Sequence, residues 1–82
     1  MIKELVGYRI KELRINEANL TQEQLAKKLN WDRTFLSRVE SGKQNLTLES
    51  LELVCKTLKI DLKDFFAFMD KQHIEGLYDD EK

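Results

Sequence analysis

The sequence predicts an all-α protein, a compact five-helix bundle in a single domain spanning residues 1–82. Three observations carry this. Apolar residues recur at helical spacing. Four helix entrances carry a polar cap with an apolar residue just before it and another four residues after it, the hydrophobic-staple pattern. The 82 residues include no proline and three glycines, and 41% apolar with 35% charged content is too rich in Leu, Ile and Phe for disorder. A chain this short makes one small domain.

The first helix is expected over about residues 3–17, where Ile2, Val6, Ile10 and Leu13 line one stripe. Asn19 then takes the left-handed conformation that ends it. Thr21, between Leu20 and Leu25 and with Gln24 completing a capping box, opens a second helix near residue 22 that closes at Asn30. Asp32, with Trp31 and Leu36, opens a third near 33 that ends at Gly42. Thr47, with Leu46 and Leu51, opens a fourth near 48, its stripe being Leu48, Leu51, Val54 and Leu58. Asp61, with Ile60 and Phe65, opens a fifth near 62, and "DLKDFFAFMDKQHI" is nearly apolar all round from Phe65 to Met69. The terminal "YDDEK" is expected to fray. Val6, Ile10, Leu13, Leu25, Leu29, Leu36, Val39, Leu51, Val54 and Leu58 form the expected core.

Several function classes are disfavoured. Cys55 is the single cysteine, so no internal disulfide forms, and it falls beside the buried stripe of the fourth helix as a small core residue. His73 is the only histidine, no side chains have metal-ligand spacing, and glycines 7, 42 and 76 are too isolated for a phosphate loop. No enzyme, metal or cofactor is expected. "MIKELVGYRIKE" lacks the apolar core of a signal peptide, and no run approaches the roughly 18 apolar residues of a membrane span. A cytoplasmic protein without membrane contact is expected.

The net charge of −1 conceals a gradient. Residues 21–46 hold five basic side chains against three acidic, whereas residues 61–82 hold three basic against seven acidic. The basic segment contains the third helix, on which Arg33, Thr34, Ser37 and Arg38 crowd one flank while Leu36 and Val39 turn away. Only about three residues, Asn30 to Asp32, separate the second and third helices. So short a connection makes them cross steeply as a helix-turn-helix. In that motif the second helix protrudes and its N-terminal end, here Arg33 and Thr34, enters a DNA major groove.

At these residues the chain resembles a known family. "LTQEQLAKKLNWDRTFLSRVESGKQNLTLESLELVCKTLKIDLKDFF" is similar to the Cro/C1-type (XRE-like) helix-turn-helix domain of phage and bacterial repressors, over roughly residues 5 to 66. Within that family "DRTFLSRVESGKQNLTLESLE" is most similar to the controller proteins of restriction-modification systems. The resemblance implies a lambda-repressor-like fold and a sequence-specific transcriptional regulator. It places Arg33, Thr34, Ser37 and Arg38 at base edges of double-stranded DNA. It places Gln22, at the start of the second helix, on a phosphate, and Lys43, Gln44 and Asn45 along the DNA backbone. Arg14 and Glu40 match an ion pair joining the first and third helices. The chain departs from the family pattern in one extra residue between Arg14 and Thr21, in Asn30 where glycine is usual, and in Leu46 where proline is common.

Blander readings stand beside these. Arg33 and Arg38 can be solvated charges, although a guanidinium fork matches the O6 and N7 acceptors of guanine. Thr34 can contact a base or help cap its helix. Phe35 lies between the two faces, open to core packing or to a thymine methyl; Trp31 is a staple partner of Leu36. Lys27 and Lys28 read as solvent charges. A rival class is a helical protein-interaction module, antitoxin-like or an adaptor, which would show a neutral or acidic outer face on the third helix. The arginines oppose it.

Surplus hydrophobicity points to a homodimer. Phe65 is expected to turn inward, and Met69 can either join it or stay at the surface, leaving Phe66 and Phe68 outward as an apolar patch with Ile74 beyond; in the blander reading residues 70–82 fold back over that patch within one chain. Residues 62–82 form the expected dimerisation segment, with Phe66, Phe68, Met69 and Ile74 at the interface. Such a dimer would bind a pseudo-palindromic operator and act by occupancy, blocking a promoter or presenting a surface to RNA polymerase.

Overall fold

The computed structural model describes residues 2–68. Its elements are α1 (Ile2–Asn16), α2 (Gln22–Leu29), α3 (Arg33–Glu40), α4 (Leu48–Thr57) and α5 (Leu62–Phe65), with a 3₁₀ turn next at Phe66–Phe68. Helices α2 to α5 begin at residues 22, 33, 48 and 62, each directly after its cap. Thr21 and Gln24 make the full capping box: Thr21 Oγ1 accepts from the Gln24 N–H at 3.1 Å and Gln24 Oε1 from the Thr21 N–H at 2.9 Å. Thr47 accepts from the Ser50 N–H at 3.0 Å, and Asp61 from the Asp64 N–H at a longer 3.4 Å. Asp32 departs from this pattern. Its backbone has the cap conformation, φ −69° and ψ 139°, but its side chain makes no cap hydrogen bond.

The ends of α2, α3 and α4 share one device. Trp31 donates back to Ala26 at 2.8 Å, Lys43 to Arg38 at 2.9 Å and Ile60 to Cys55 at 2.9 Å. Each bond spans a residue with positive φ, respectively Asn30 (58°), Gly42 (78°) and Lys59 (59°). These are Schellman closures, which need a left-handed residue just past the helix. Asn19 is left-handed as well, at φ 53°.

The expected core closes around Ile10, Leu25, Leu36, Val39 and Val54, all at 1% exposure or less. Phe65 turns inward, Cys55 is buried, and Ala26 joins them. Val6 and Leu58 sit half-buried at the margin. Two expected stripe residues do not enter it. Leu48 is 85% exposed and Ile2 47%, because each is the first residue of its helix and precedes the turn that packs.

Helices α1 and α3 meet without a side chain between them at Gly7. A Cβ there would collide with the Val39 carbonyl oxygen and lie 3.1 Å from that of Glu40. Glycine is required by this close approach of two backbones.

The fifth helix is shorter than the apolar run suggests. Arg9 donates from Nε to the Phe65 carbonyl at 2.8 Å and from Nη2 to the Asp64 carbonyl at 2.9 Å. Those are the acceptors an α-helical continuation would use, and the chain tightens into a 3₁₀ turn instead. Phe66, expected to face outward, is half-buried against the core margin, its ring edge-on to Phe65 with centroids 5.0 Å apart. The expected interface residues Met69 and Ile74, the side chain of Phe68, and the rest of the 62–82 segment beyond residue 68 lie outside what is described.

Candidate nucleic-acid interface

Helix α3 has two unlike sides. Leu36, Val39 and Glu40 are buried, whereas Arg33, Thr34, Ser37 and Arg38 are all exposed. The division arises from the helical period: residues 33, 34, 37 and 38 share one face, and residues 36, 39 and 40 share the opposite one. Phe35 is half-buried, and Trp31 meets it edge-on at 5.0 Å with the rings 88° apart. Trp31 and Phe35 thus brace the entrance of α3 from its apolar flank.

The segment after α3 continues the exposed surface. Lys43 and Asn45 are exposed and Gln44 is half-buried. The Lys43 N–H is fixed on the Arg38 carbonyl by the helix closure, which sets where this segment leaves α3. Arg38 Nη2 lies 3.5 Å from the Lys43 carbonyl, a long approach that leaves its guanidinium fork open. Gln44 Nε2 donates to the Asn45 carbonyl at 3.3 Å. Lys27 and Lys28 are exposed.

Gln22 opens α2, so its backbone N–H has no acceptor within the helix and lies at the positive end of the helix dipole. Its side chain is half-buried and donates from Nε2 to Glu40 Oε1 at 3.1 Å. Glu40 is in turn gripped by Arg14, with Nε to Oε2 at 2.7 Å and Nη2 to Oε1 at 2.9 Å. A third Arg14 donor, Nη1, reaches the Leu20 carbonyl at 2.9 Å. Both charged residues are only 7% exposed. The α1–α2 connection is held by bonds from the Ala18 N–H to the Leu13 carbonyl and from the Leu20 N–H to the Arg14 carbonyl, with Asn19 left-handed between them. That turn leaves the Leu20 carbonyl within reach of Arg14.

The bond from Gln22 to Glu40 is invisible in the sequence. The partners stand 18 residues apart on different helices, and neither periodicity nor a cap pattern links them.

No group of three His, Cys, Asp or Glu is placed to hold a metal among the described residues. Burial, and then the charge of Asp61, push the Cys55 thiol pKa up, away from what a nucleophile needs. No described helix is long and apolar enough to cross a membrane.

Comparison with known proteins agrees with this geometry. The helix-turn-helix family model matches residues 10–65. Control protein C.MunI of Mycoplasma sp. is 37% identical over 71 residues, covering 87% of this chain and 96% of that protein. Control protein C.BamHI of Bacillus amyloliquefaciens is 33% identical over 67 residues, covering 82% and 83%. Among solved structures, the restriction-modification controller protein C.Esp1396I, as a tetramer on its natural 35 base-pair operator, superposes with a TM-score of 0.77. That match is 39% identical and covers 90% of this chain and 96% of the other. The same controller bound to a 25 base-pair operator gives a TM-score of 0.73 at 38% identity, covering 94% and 95%. The chain belongs to the Cro/C1-type helix-turn-helix family of DNA-binding regulators.

Proposed function

We propose that this protein is a control protein that binds a pseudo-palindromic operator as a homodimer and reads the major groove with α3. The observation that carries the reading is the sidedness of α3: four polar side chains, two of them arginines, stand in solvent while the opposite face is locked to α1. Arg33, Thr34, Ser37 and Arg38 contact base edges, and Gln22, Lys43, Gln44 and Asn45 contact the backbone. The relatives support this, since C.Esp1396I is bound to operators of 25 and 35 base pairs. A neutral or acidic outer face, which a protein-interaction module would need, is not what α3 carries.

The dimer is proposed through the end of the described chain and the segment beyond it, with Phe66, Phe68, Met69 and Ile74. In support, Phe66 borders a shallow groove of about 240 Å³ that is also lined by Ile2, Leu46 and Leu48. Ile2 and Leu48 are exposed beside it. Contiguous apolar surface of this kind commonly marks an interface, and a twofold contact is the usual form. Occupancy of an operator then blocks a promoter or presents a surface to RNA polymerase, according to where the operator lies.

Genomic DNA fragments retained by the purified protein test the reading. A retained fragment with two half-sites about 34–36 Å apart, bound with a steep loss of affinity as salt rises, is the expected result. Retention of no fragment above random DNA at any salt concentration overturns it.

A further inference from the structure

We propose that Glu40 is a positioning residue for DNA binding: it holds the Gln22 side-chain amide in one orientation, with one N–H committed to the protein and the other presented to a phosphate. The inference rests on the reading of Gln22 as a backbone contact. A glutamine amide ordinarily has two nearly equivalent orientations, one offering its oxygen and one its nitrogen. Glu40 removes that equivalence. An ionised carboxylate accepts hydrogen bonds and donates none, so only the NH₂ end of Gln22 can face it.

The contact is built to last. The Glu40 side chain is 2% exposed, and Arg14 fixes both of its oxygens at 2.7 and 2.9 Å, so the acceptor facing Gln22 Nε2 at 3.1 Å does not wander. Arg14 also offsets the negative charge that would otherwise repel a phosphate at this place. Its third bond, to the Leu20 carbonyl, secures the residue just before the Thr21 cap. One buried node on α1 therefore holds the entrance of α2 and the last residue of α3 together. Gln22 Nε2 carries two hydrogens, and the second has no acceptor among the described residues. A phosphate arriving there meets that N–H and the uncommitted backbone N–H of Gln22, with little side-chain freedom left to lose.

A double-mutant cycle tests this with a labelled duplex of arbitrary sequence at low salt, because a phosphate contact is independent of sequence. Gln22→Ala is expected to weaken binding about tenfold, the scale of one charge-assisted hydrogen bond. Glu40→Gln, which keeps the shape but can present either end to Gln22, is expected to weaken it by a similar factor. The double variant should then be no more than about twofold weaker than Gln22→Ala alone. Glu40→Gln with unchanged affinity, or with an equal loss in both backgrounds, overturns the positioning role and leaves the phosphate contact standing. Gln22→Ala with unchanged affinity removes the contact itself, and the inference with it. The native protein supplies a second measurement that does not depend on the Glu40 variant folding. The Gln22 side-chain amide, assigned by its loss in Gln22→Ala, should be as rigid as the backbone by ¹⁵N relaxation. A mobile amide overturns the inference.

Discussion

Both carboxylate oxygens of Glu40 are bound by the guanidinium of Arg14, which approaches from another helix at 2.7 and 2.9 Å in a site closed to solvent. The pair matters less for its attraction than for the penalty of breaking it. Desolvating two charges roughly offsets their mutual gain, but removing one partner strands the other in the interior. Glu40→Ala is therefore expected to cost about 3–5 kcal/mol, a large share of the roughly 5–15 kcal/mol typical of a domain. Replacing both residues together, by Arg14→Met with Glu40→Leu, should cost much less. Urea unfolding of the single and double variants checks this. A single variant within about 1 kcal/mol of the native protein would remove the pair from the stability account.

Gly7→Ala probes the contact between α1 and α3. The added methyl meets the Val39 carbonyl, a backbone atom that cannot rotate aside, so the helices must separate. Overpacking of this kind costs about 1–3 kcal/mol. Because α3 carries the proposed reading surface, DNA affinity should fall too, even though position 7 is far from every proposed contact in sequence. Native stability combined with native affinity would show that the helices part at no cost.

Arg9 holds the C-terminal end of α5 through the carbonyls of Asp64 and Phe65. Arg9→Met keeps much of the apolar stem and removes the donors. It should loosen Phe65 and Phe66, lower stability by about 1–3 kcal/mol, and weaken the proposed dimer. Sedimentation equilibrium over a dilution series is the readout: the variant should dissociate at a higher concentration than the native chain. Equal dissociation constants would place the interface away from Phe66.

The proposed contacts divide into two kinds that affinity measurements separate. Arg33→Ala and Arg38→Ala should each cost about 1–3 kcal/mol on an operator and relax base preference at one position. Lys43→Ala should weaken all sequences similarly and lower the salt slope by about one. If the arginine variants lose equally on operator and random DNA, base reading belongs to other residues.

Helix starts were legible because a cap is a local event, written within five residues of itself. Thr21, Thr47 and Asp61 behave as that grammar requires; Asp32 keeps only its backbone half. Helix ends were legible where the left-handed residue is one that tolerates it. Asn19, Asn30 and Gly42 announce themselves, whereas Lys59 carries no such preference and is held at φ 59° by the closure around it. The fifth helix was over-extended because periodicity cannot see Arg9, 55 and 56 residues away, taking its carbonyls. The bond from Gln22 to Glu40 escaped for the same reason. Interactions that join distant parts of the chain leave no mark in a window of neighbours.

The bare backbone contact at Gly7 also separates two tasks that most proteins mix. The inner side of α3 meets α1 through the backbone at Val39 and Glu40 and through the Glu40 carboxylate held by Arg14, while among the described residues none of the four outward side chains is hydrogen-bonded to α1. Under the proposed reading, substituting those four alters base preference and leaves the packing of α3 in place, and each exchange among polar residues should change stability by no more than about 0.5 kcal/mol. If the four proposed contacts read bases, operator preference would diverge between sister proteins through a handful of surface changes, with no compensating repair inside. Thermal melts of variants at 33, 34, 37 and 38 would expose any hidden link, as a drop well beyond that margin.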